Sequence, residues 1–325
     1  MKEYGGYISL EAYGREFYGT VSGGEVLRFN AARYAIIEAF KDGGYDKMWV
    51  PVYTCRSVIE AIEHSEICFE YYNISEDFMP ITPQIESEDC ILITNYFGIQ
   101  NEMFYKKVLS RYKNIIFDNT QSFYSKPILQ KGIYNVYSPR KFFGVSDGAY
   151  LITDKFNLKE VYEIDESSER MRFLLKAVEN GTNAAYQGYL ASEDDLSDSK
   201  VKEMSIITKT ILSNVDYEGT QRRRLDNFRF LVQQLRDINE LDVDATDIVP
   251  MVYPLVLEKN GPYFREYLVK NKVYIPQWWK WVLSNPLANG WECKLSNYLY
   301  PIPIDQRYSI EDMKEIVQII RLFVR

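Results

Sequence analysis

Apolar and polar positions along the first half of the chain follow two periods. Apolar residues recur on one helical face in AARYAIIEAF (31–40), RSVIEAIEHS (56–65) and MFYKKVLSRY (103–112), and each is predicted to be a helix. Between them lie short apolar runs bounded by turn residues: DKMWVPVY (46–53), ICFEYYNI (67–74), DCILITNYFG (89–98), NIIFDNTQ (114–121), YNVYS (134–138) and GAYLIT (148–153). These read as strands. Strands separated by helices of about ten residues imply crossover connections and a mostly parallel sheet. Residues 157–205 change character, with many charges and helix formers, and SEDDLSDS (192–199) reads as a solvated acidic loop. A long helix is predicted over 217–238. After it come a strand (IVPMVYPLVL, 248–257), a helix (YFREYLVKN, 263–271), a strand (KVYIP, 272–276), an aromatic loop and a final helix (IEDMKEIVQIIRLFV, 310–324). The expected fold class is α/β. A large domain, 1–215, would hold a mostly parallel mixed sheet sandwiched by helices, and a small C-terminal α+β lobe, 216–325, would follow through the long linking helix.

Composition narrows the function. The chain has 325 residues, 46% apolar and 26% charged, so it can bury enough apolar surface to offset its ordering entropy. Its 38 basic and 46 acidic residues give −8, which argues against a nucleic-acid polymer as partner, because neutralising phosphates needs a basic surface. A single histidine, His64, excludes multi-histidine metal centres, and no metal site is expected. His64 sits in a helical pattern and reads as a surface or packing residue; no GxSxG elbow exists to receive it. The four cysteines, Cys55, Cys68, Cys90 and Cys293, form no CxxC pair and read as reduced, buried thiols of a cytoplasmic protein. The N-terminal MKEYGGYISLEAYGREF has no apolar core of leader length, and no run approaches the ~18 apolar residues of a membrane helix.

In open α/β sheets ligands sit beyond the carboxyl ends of the strands. The polar strand ends here are Tyr53-Thr54-Cys55, Asn95-Tyr96-Phe97-Gly98, Asp118-Asn119-Thr120-Gln121 and Ser138-Pro139-Arg140-Lys141. Lys141, flanked by Phe142 and Phe143, would be partly shielded from water, the setting in which an amine attacks a carbonyl; the alternative is an ordinary surface lysine. Asp118 could hold a pyridinium nitrogen protonated, or serve as a turn or cap residue. Asn30 precedes a helix as a natural N-cap, and the first amides of that helix, at Ala31 and Ala32, would form an anion site suited to a phosphate. Ser138 could add a hydroxyl. Jointly these residues describe a site for pyridoxal 5′-phosphate: lysine for the aldehyde, aspartate for the ring nitrogen, helix terminus for the phosphate.

Three of these segments resemble the DegT/DnrJ/StrS sugar-aminotransferase family of fold-type-I pyridoxal-phosphate enzymes. WVPVYTCRSVIEAI (49–62) is similar to the strand, proline, loop and helix that line the cofactor, which implies cofactor contacts for Tyr53 and Cys55. IIFDNTQSF (115–123) resembles the D-x-A-Q motif, implying Asp118 at the pyridine nitrogen and Gln121 near the ring oxygen. In YSPRKFFGVSDGAYL (137–151), Lys141, Asp147 and Gly148 fit the spacing of the cofactor lysine and the acid–glycine pair after it. MSIITKTIL and RRRLDNFRFL (within 204–230) and the ending LYPIPIDQRYSIEDMKEIVQII extend the similarity over most of the chain. The resemblance implies amino transfer to a keto sugar, nucleotide-linked, in amino-sugar or surface-polysaccharide biosynthesis, with glutamate as donor and a homodimer whose cofactor lies near the subunit boundary. The sequence departs from the family where Phe29-Asn30 replaces a Gly-Thr pair. It departs again where Val201, Lys202 and Glu203 replace the Asn and Arg that reach into the neighbouring subunit; Arg33 is the candidate for compensating charge. Two other readings stay open: a catalytically diverged pyridoxal-phosphate-fold protein with a binding or regulatory role, and a sugar-nucleotide module that stacks its ligand on QWWKW (277–281), a run that lobe packing would equally explain.

Overall fold

Both faces of the central sheet are covered, which is why its inner strands, Met48–Pro51, Cys90–Thr94, Ile115–Asp118 and Ile133–Tyr137, are buried from end to end. The computed structural model describes residues 9–82, 84–157, 160–197, 200–244, 248–258 and 263–324. In chain order the first half contains β1 (Glu25–Phe29), α1 (Ala32–Gly43), β2 (Met48–Pro51), α2 (Arg56–His64), β3 (Phe69–Ile74), β4 (Pro80–Ile81), β5 (Cys90–Thr94), α3 (Glu102–Arg111), β6 (Ile115–Asp118), β7 (Ile133–Tyr137) and β8 (Ala149–Thr153). The second half contains α4 (Arg172–Asn180), α5 (Thr182–Ser197), α6 (Ile206–Leu212), α7 (Tyr217–Leu235), β9 (Val252–Val256), α8 (Tyr263–Lys270), α9 (Gly290–Tyr298), β10 (Leu299–Pro303) and α10 (Ile310–Val324). The eight-stranded sheet runs β1-β8-β7-β6-β5-β2-β3-β4. Its five central strands, β7 to β3 in that order, are parallel, and antiparallel pairs close both edges.

The strand period of two divides the core. Met48, Val50, Leu92, Ile116 and Val136 face α1 and α2 and pack with Ile36, Ile59 and Ile62. Their neighbours Trp49, Ile91, Ile93, Ile115 and Phe117 face the other way and pack with Val108 of α3, Leu231 of α7 and the C-terminal lobe. The lobe is a two-stranded β9–β10 ribbon with Pro254 opposite Pro301. A lone ribbon is marginal in water; Phe264 and Leu268 of α8 and Met313, Ile316 and Ile320 of α10 supply its apolar cover.

Several expectations need correction. EVLRF (25–29) pairs as β1 against β8, from Glu25 opposite Thr153 to Phe29 opposite Ala149, although its weak alternation gave no strand signal. The acidic run is helical through Ser197, as the end of α5, because its carboxylates have partners: Glu193 pairs with Arg140, and Asp195 with Arg170 at 2.9 Å. Residues 198–199 of that run, like 1–8 of the N-terminal stretch, lie outside the described residues. KVYIP is no strand. Val273 and Ile275 are buried as the alternation implies, but Lys272 at φ +62° turns the chain out of α8, and β10 is the strand that pairs with β9. The stretch expected as an aromatic loop and closing loop contains α9 and β10; α9 opens on a capping box in which Asn289 and Glu292 satisfy each other's backbone amides.

Candidate active site

The order of the parallel strands reverses between β2 and β5, and the crevice beyond their carboxyl ends is where this class of sheet places ligands. Tyr53, two residues beyond β2, is fully buried, and burial pushes its phenol far above the ordinary value. Its carbonyl accepts the Tyr96 hydroxyl at 2.7 Å, while its own hydroxyl has no partner among the described residues. Trp279 stands edge-on to the Tyr53 ring at 4.5 Å, Trp278 stacks on Phe97 at 5.9 Å, and Trp281 Nε1 donates to the Thr54 carbonyl at 2.9 Å. The QWWKW run therefore closes the crevice from the lobe; its indoles pack within the chain and form no open stacking platform.

One turn away, the ends of β6 and β7 bring together an amine, a hydroxyl and a carboxylate. Asp118 is buried, and its Oδ1 accepts the Thr120 N–H at 3.0 Å. Lys141 Nζ donates to Thr120 Oγ1 at 2.9 Å from the 3₁₀ turn Pro139–Lys141 that follows β7. Gln121 Oε1 accepts the Phe97 N–H at 2.7 Å. Phe97 sits at φ +62° and Gly98 at φ +75°, and a Cβ on Gly98 would lie 2.6 Å from the Gln121 carbonyl oxygen, so the turn after β5 is held in a strained form against the end of β6. Asn95 Nδ2 reaches Asn119 Oδ1 at 3.3 Å, and Asn95 Oδ1 is buried without a partner among the described residues.

Lys141 is exposed, contrary to the expected shielding, because Phe142 and Phe143 turn inward. Phe143 meets Phe123 edge-on at 5.0 Å, and the Arg224 guanidinium lies 4.5 Å over the Phe142 ring. The Phe142 carbonyl accepts Gln306 Nε2 at 2.7 Å and Arg224 Nη2 at 3.5 Å. Arg224 is 2% exposed, and burial lowers its pKa to about 10, which still leaves a cation at neutral pH. Helix α7 and the lobe thus grip the residue next to Lys141. Neither Arg224 nor Gln306 was singled out within its segment of the sequence; their contacts to the Phe142 carbonyl span 82 and 164 residues.

The phosphate end differs from expectation. The N-cap of α1 is Ala31, at φ −144° and ψ 149°, with no side-chain cap; it is not Asn30. Asn30 is fully buried, so its amide must find partners inside the protein. Its Nδ2 donates to the Lys200 carbonyl at 3.0 Å and to Asp165 Oδ2 at 3.3 Å, and its Oδ1 accepts the Lys202 N–H at 3.3 Å. The side chain expected to face a phosphate is bound to its own chain. The first amides of α1, at Ala32 and Arg33, still lack intrahelical acceptors, as in any helix. The Arg33 guanidinium donates to the Leu196 carbonyl and Ser197 Oγ at the end of α5, each at 3.3 Å. Ser138 is buried just before the Lys141 turn, and Cys55 precedes α2 with its Sγ 3.1 Å from Ser57 Oγ.

Asp147 and Gly148 fit the family spacing for a structural reason. Asp147 accepts Ser205 N–H and Ser205 Oγ, both at 2.8 Å, and the Thr208 hydroxyl, and so anchors Ser205, the N-cap of α6, whose Oγ in turn accepts the Thr208 N–H. Gly148 adopts φ +119° and donates to the Asn30 carbonyl at 2.7 Å. Of the thiols only Cys90 is buried; Cys55 and Cys293 are half-buried, and Cys68, the residue before β3, is exposed. All four are free, and His64 is exposed at the end of α2.

No family model and no curated protein matches this sequence. Solved structures do match its fold. The sugar aminotransferase CalS13 from Micromonospora echinospora superposes with a TM-score of 0.64 at 14% identity, over 91% of this chain and 86% of that one. A DegT DnrJ EryC1 StrS aminotransferase from Brucella abortus matches at 0.60 and 14%, over 92% and 86%. A GDP-4-keto-6-deoxymannose-3-dehydratase, solved with a trapped PLP–glutamate geminal diamine, matches at 0.61 and 11%, over 90% and 87%. The chain has the fold of these enzymes, α/β with a mostly parallel mixed sheet.

Proposed function

We propose that this protein binds pyridoxal 5′-phosphate and transfers an amino group to a keto sugar, nucleotide-linked, with glutamate as donor. The observation that carries this reading is the Lys141 amine and the buried Asp118 carboxylate meeting at Thr120, on adjacent strand ends beside the crevice. The dehydratase's PLP–glutamate adduct and the TDP-sugar product in another structure of the same fold, DesI, support the cofactor, donor and substrate class. The residues present fit the group at its ring and aldehyde. An amine, a carboxylate and Gln121 stand within one strand end of each other, and Asn95 Oδ1, on the residue whose N–H bonds the Asp118 carbonyl, is a buried polar atom lacking a partner among the described residues. Asn30 does not fit the phosphate with its side chain, so that role falls to the first-turn amides of α1 and Ser138.

Bound there, the cofactor supplies an aldehyde that captures amines and a ring that accepts electrons from the neighbouring C–H bond. Lys141 would hold the aldehyde through Nζ and, once released, carry a proton to and from the donor's α-carbon. Thr120 Oγ1 positions that amine at 2.9 Å. Asp118 would keep a proton on the ring nitrogen by charge pairing, with Oδ1 anchored on the Thr120 amide. The absence of a histidine at the site is no obstacle, since lysine serves as both nucleophile and base.

The second reading, a protein of this fold that binds without catalysing, is favoured by one observation: the Asn30 amide is closed off by Lys200, Lys202 and Asp165. One experiment separates the two. The purified protein is mixed with pyridoxal phosphate, its visible spectrum is recorded, and glutamate is added. Amino transfer predicts a visible band, trapped on Lys141 by borohydride, that glutamate converts to the pyridoxamine form. A band that glutamate leaves unchanged supports the second reading, and the absence of any band overturns both.

The same reading includes a homodimer and a cytoplasmic location in amino-sugar or surface-polysaccharide synthesis. The α4–α5 hairpin supports the dimer, with Val178 89% and Leu175 67% exposed on an otherwise apolar helix face.

A further inference from the structure

The cleft that carries Lys141, of about 870 Å³, opens between the Pro139–Lys141 turn, α4, α6 and residues 305–307 beyond β10. Its walls differ in character. One is apolar: Leu174, Leu175 and Val178 of α4 and Ile207 and Ile211 of α6 line it, and each keeps surface open to solvent. The other is charged. Four cations line the cleft, Arg140, Lys141, Arg224 and Arg307, against one carboxylate, Asp305. Glu193, which pairs with Arg140 from α5, adds a second carboxylate just outside the lining. The balance is therefore positive in a chain whose net charge is −8. Arg224 is committed to Gln306 and to the carbonyls of Phe142, Pro250 and Met251. Arg307 is different. It is exposed, and it holds Asp305 through Nε at 2.7 Å and Nη2 at 2.9 Å, which leaves Nη1 without a bond to any described residue.

The two walls together select a ligand. A cation is repelled by the positive balance. A dicarboxylate could set one group on Arg307 but would press the other against α4 and α6, where losing water is unfavourable. A polyol finds few partners, because Gln306 is occupied, its Nε2 on the Phe142 carbonyl and its Oε1 on Arg224, which leaves Ser168 and Thr182 as the uncharged polar side chains of the lining. A single carboxylate on an apolar body answers both walls: its oxygens accept from the guanidinium, and its body covers the exposed aliphatic side chains.

We propose that this cleft binds a monocarboxylate with an apolar body, its carboxylate on Arg307 and its body along α4 and α6. The proposal goes beyond the amino-transfer reading and stands without it, because it concerns what the cleft holds and not what Lys141 does. The test titrates the full chain, before and after loading with pyridoxal phosphate, with acetate, butanoate, hexanoate and octanoate, and separately with glutarate, pyrophosphate and hexylammonium, read by ligand-observed NMR. Hexanoate is expected to bind in the millimolar range, with affinity rising along the series by up to about fourfold per methylene, the gain for burying one such group. Glutarate and pyrophosphate should bind about tenfold more weakly than hexanoate. Arg307→Leu should weaken hexanoate about tenfold, and Arg307→Lys, which keeps the charge, less than that. Leu174→Ser should flatten the dependence on chain length while leaving acetate unchanged. The proposal is overturned if affinity does not rise with chain length, if glutarate, pyrophosphate or hexylammonium binds as well as hexanoate, or if Arg307→Leu leaves hexanoate binding intact. Binding that pyridoxal phosphate abolishes would also overturn it, by giving the cleft to the cofactor. A chain that takes up no pyridoxal phosphate yet binds hexanoate in this pattern would support it and overturn the amino-transfer reading alone.

Discussion

At the scale of single residues, Thr120 ties the site together, taking the Lys141 amine on its hydroxyl and giving its N–H to Asp118. Lys141→Ala should abolish covalent trapping of pyridoxal phosphate by borohydride, read as the loss of the labelled peptide by mass spectrometry. Lys141→Arg should fail equally, since a guanidinium is no nucleophile at neutral pH. Asp118→Asn should stay folded yet lose about a hundredfold or more in turnover, because an amide cannot hold a ring proton by charge; a rate within twofold of wild type would exclude the role. Gly148 makes a different point. A Cβ there would come within 3.1 Å of Met204 and Thr208, and its φ of +119° strains any other residue. Gly148→Ala should therefore cost about 1–3 kcal/mol, measured as a lower urea midpoint. The spacing of Lys141, Asp147 and Gly148 was legible from resemblance, but the work of the acid–glycine pair, anchoring the Ser205 cap of α6 and bonding the Asn30 carbonyl, became visible only in three dimensions.

At the scale of elements, α9 shows how a local signal can be present and missed. Asn289-Gly290-Trp291-Glu292 has the residues and spacing of a capping box, yet the aromatic density around it reads as a loop. Asn289 also donates to the Ile74 carbonyl at 3.0 Å, so Asn289→Ala should lower stability by about 1 kcal/mol or somewhat more, measured by thermal unfolding. Glu292, the other half of the box, is fully buried, and burial raises its pKa above the ordinary 4.5, against the pull of its bonds from Asn289, Asn73 and Ile74. A carboxyl whose folded value is raised binds its proton more readily in the folded chain. Its stabilising contribution is complete below the ordinary value and is lost as pH rises through the folded one. The stability difference between wild type and Glu292→Gln should therefore shrink as pH is raised from about 4 to about 7, measured by urea denaturation at each pH.

At the scale of the whole molecule, the α4–α5 hairpin leaves Leu175 and Val178 uncovered on a helix with no buried residue of its own. If a second copy covers that face, light scattering should give twice the 38.2 kDa of one chain, and a double replacement of Leu175 and Val178 by glutamate should return the monomer mass without lowering the unfolding midpoint. A wild-type monomer that still binds pyridoxal phosphate would remove the dimer from the reading. The grip of α7 and the lobe on Phe142 is a second feature of this scale. It joins Arg224 and Gln306 to the turn that carries Lys141, so motion of the lobe would reach the amine directly.

Period and turn chemistry alone determined the alternation of helices and strands, the parallel sheet and the strand ends where a site should lie, because hydrophobic spacing is a local property that one face of an element imposes on its own residues. The positions of Asp118 and Lys141 at strand ends were legible for the same reason, whereas Gln121 was singled out only by the family resemblance. Tertiary structure decided what depends on distant partners. Asn30 looks like a helix cap in sequence, but Lys200 and Lys202 fold over it and take its amide. QWWKW looks like a stacking surface, but the lobe turns it onto Tyr53 and Phe97. KVYIP alternates like a strand, but β10 holds the place beside β9. In each case the residue type sets what bonds or contacts are needed, and the fold decides which neighbour, often two hundred residues away, supplies them.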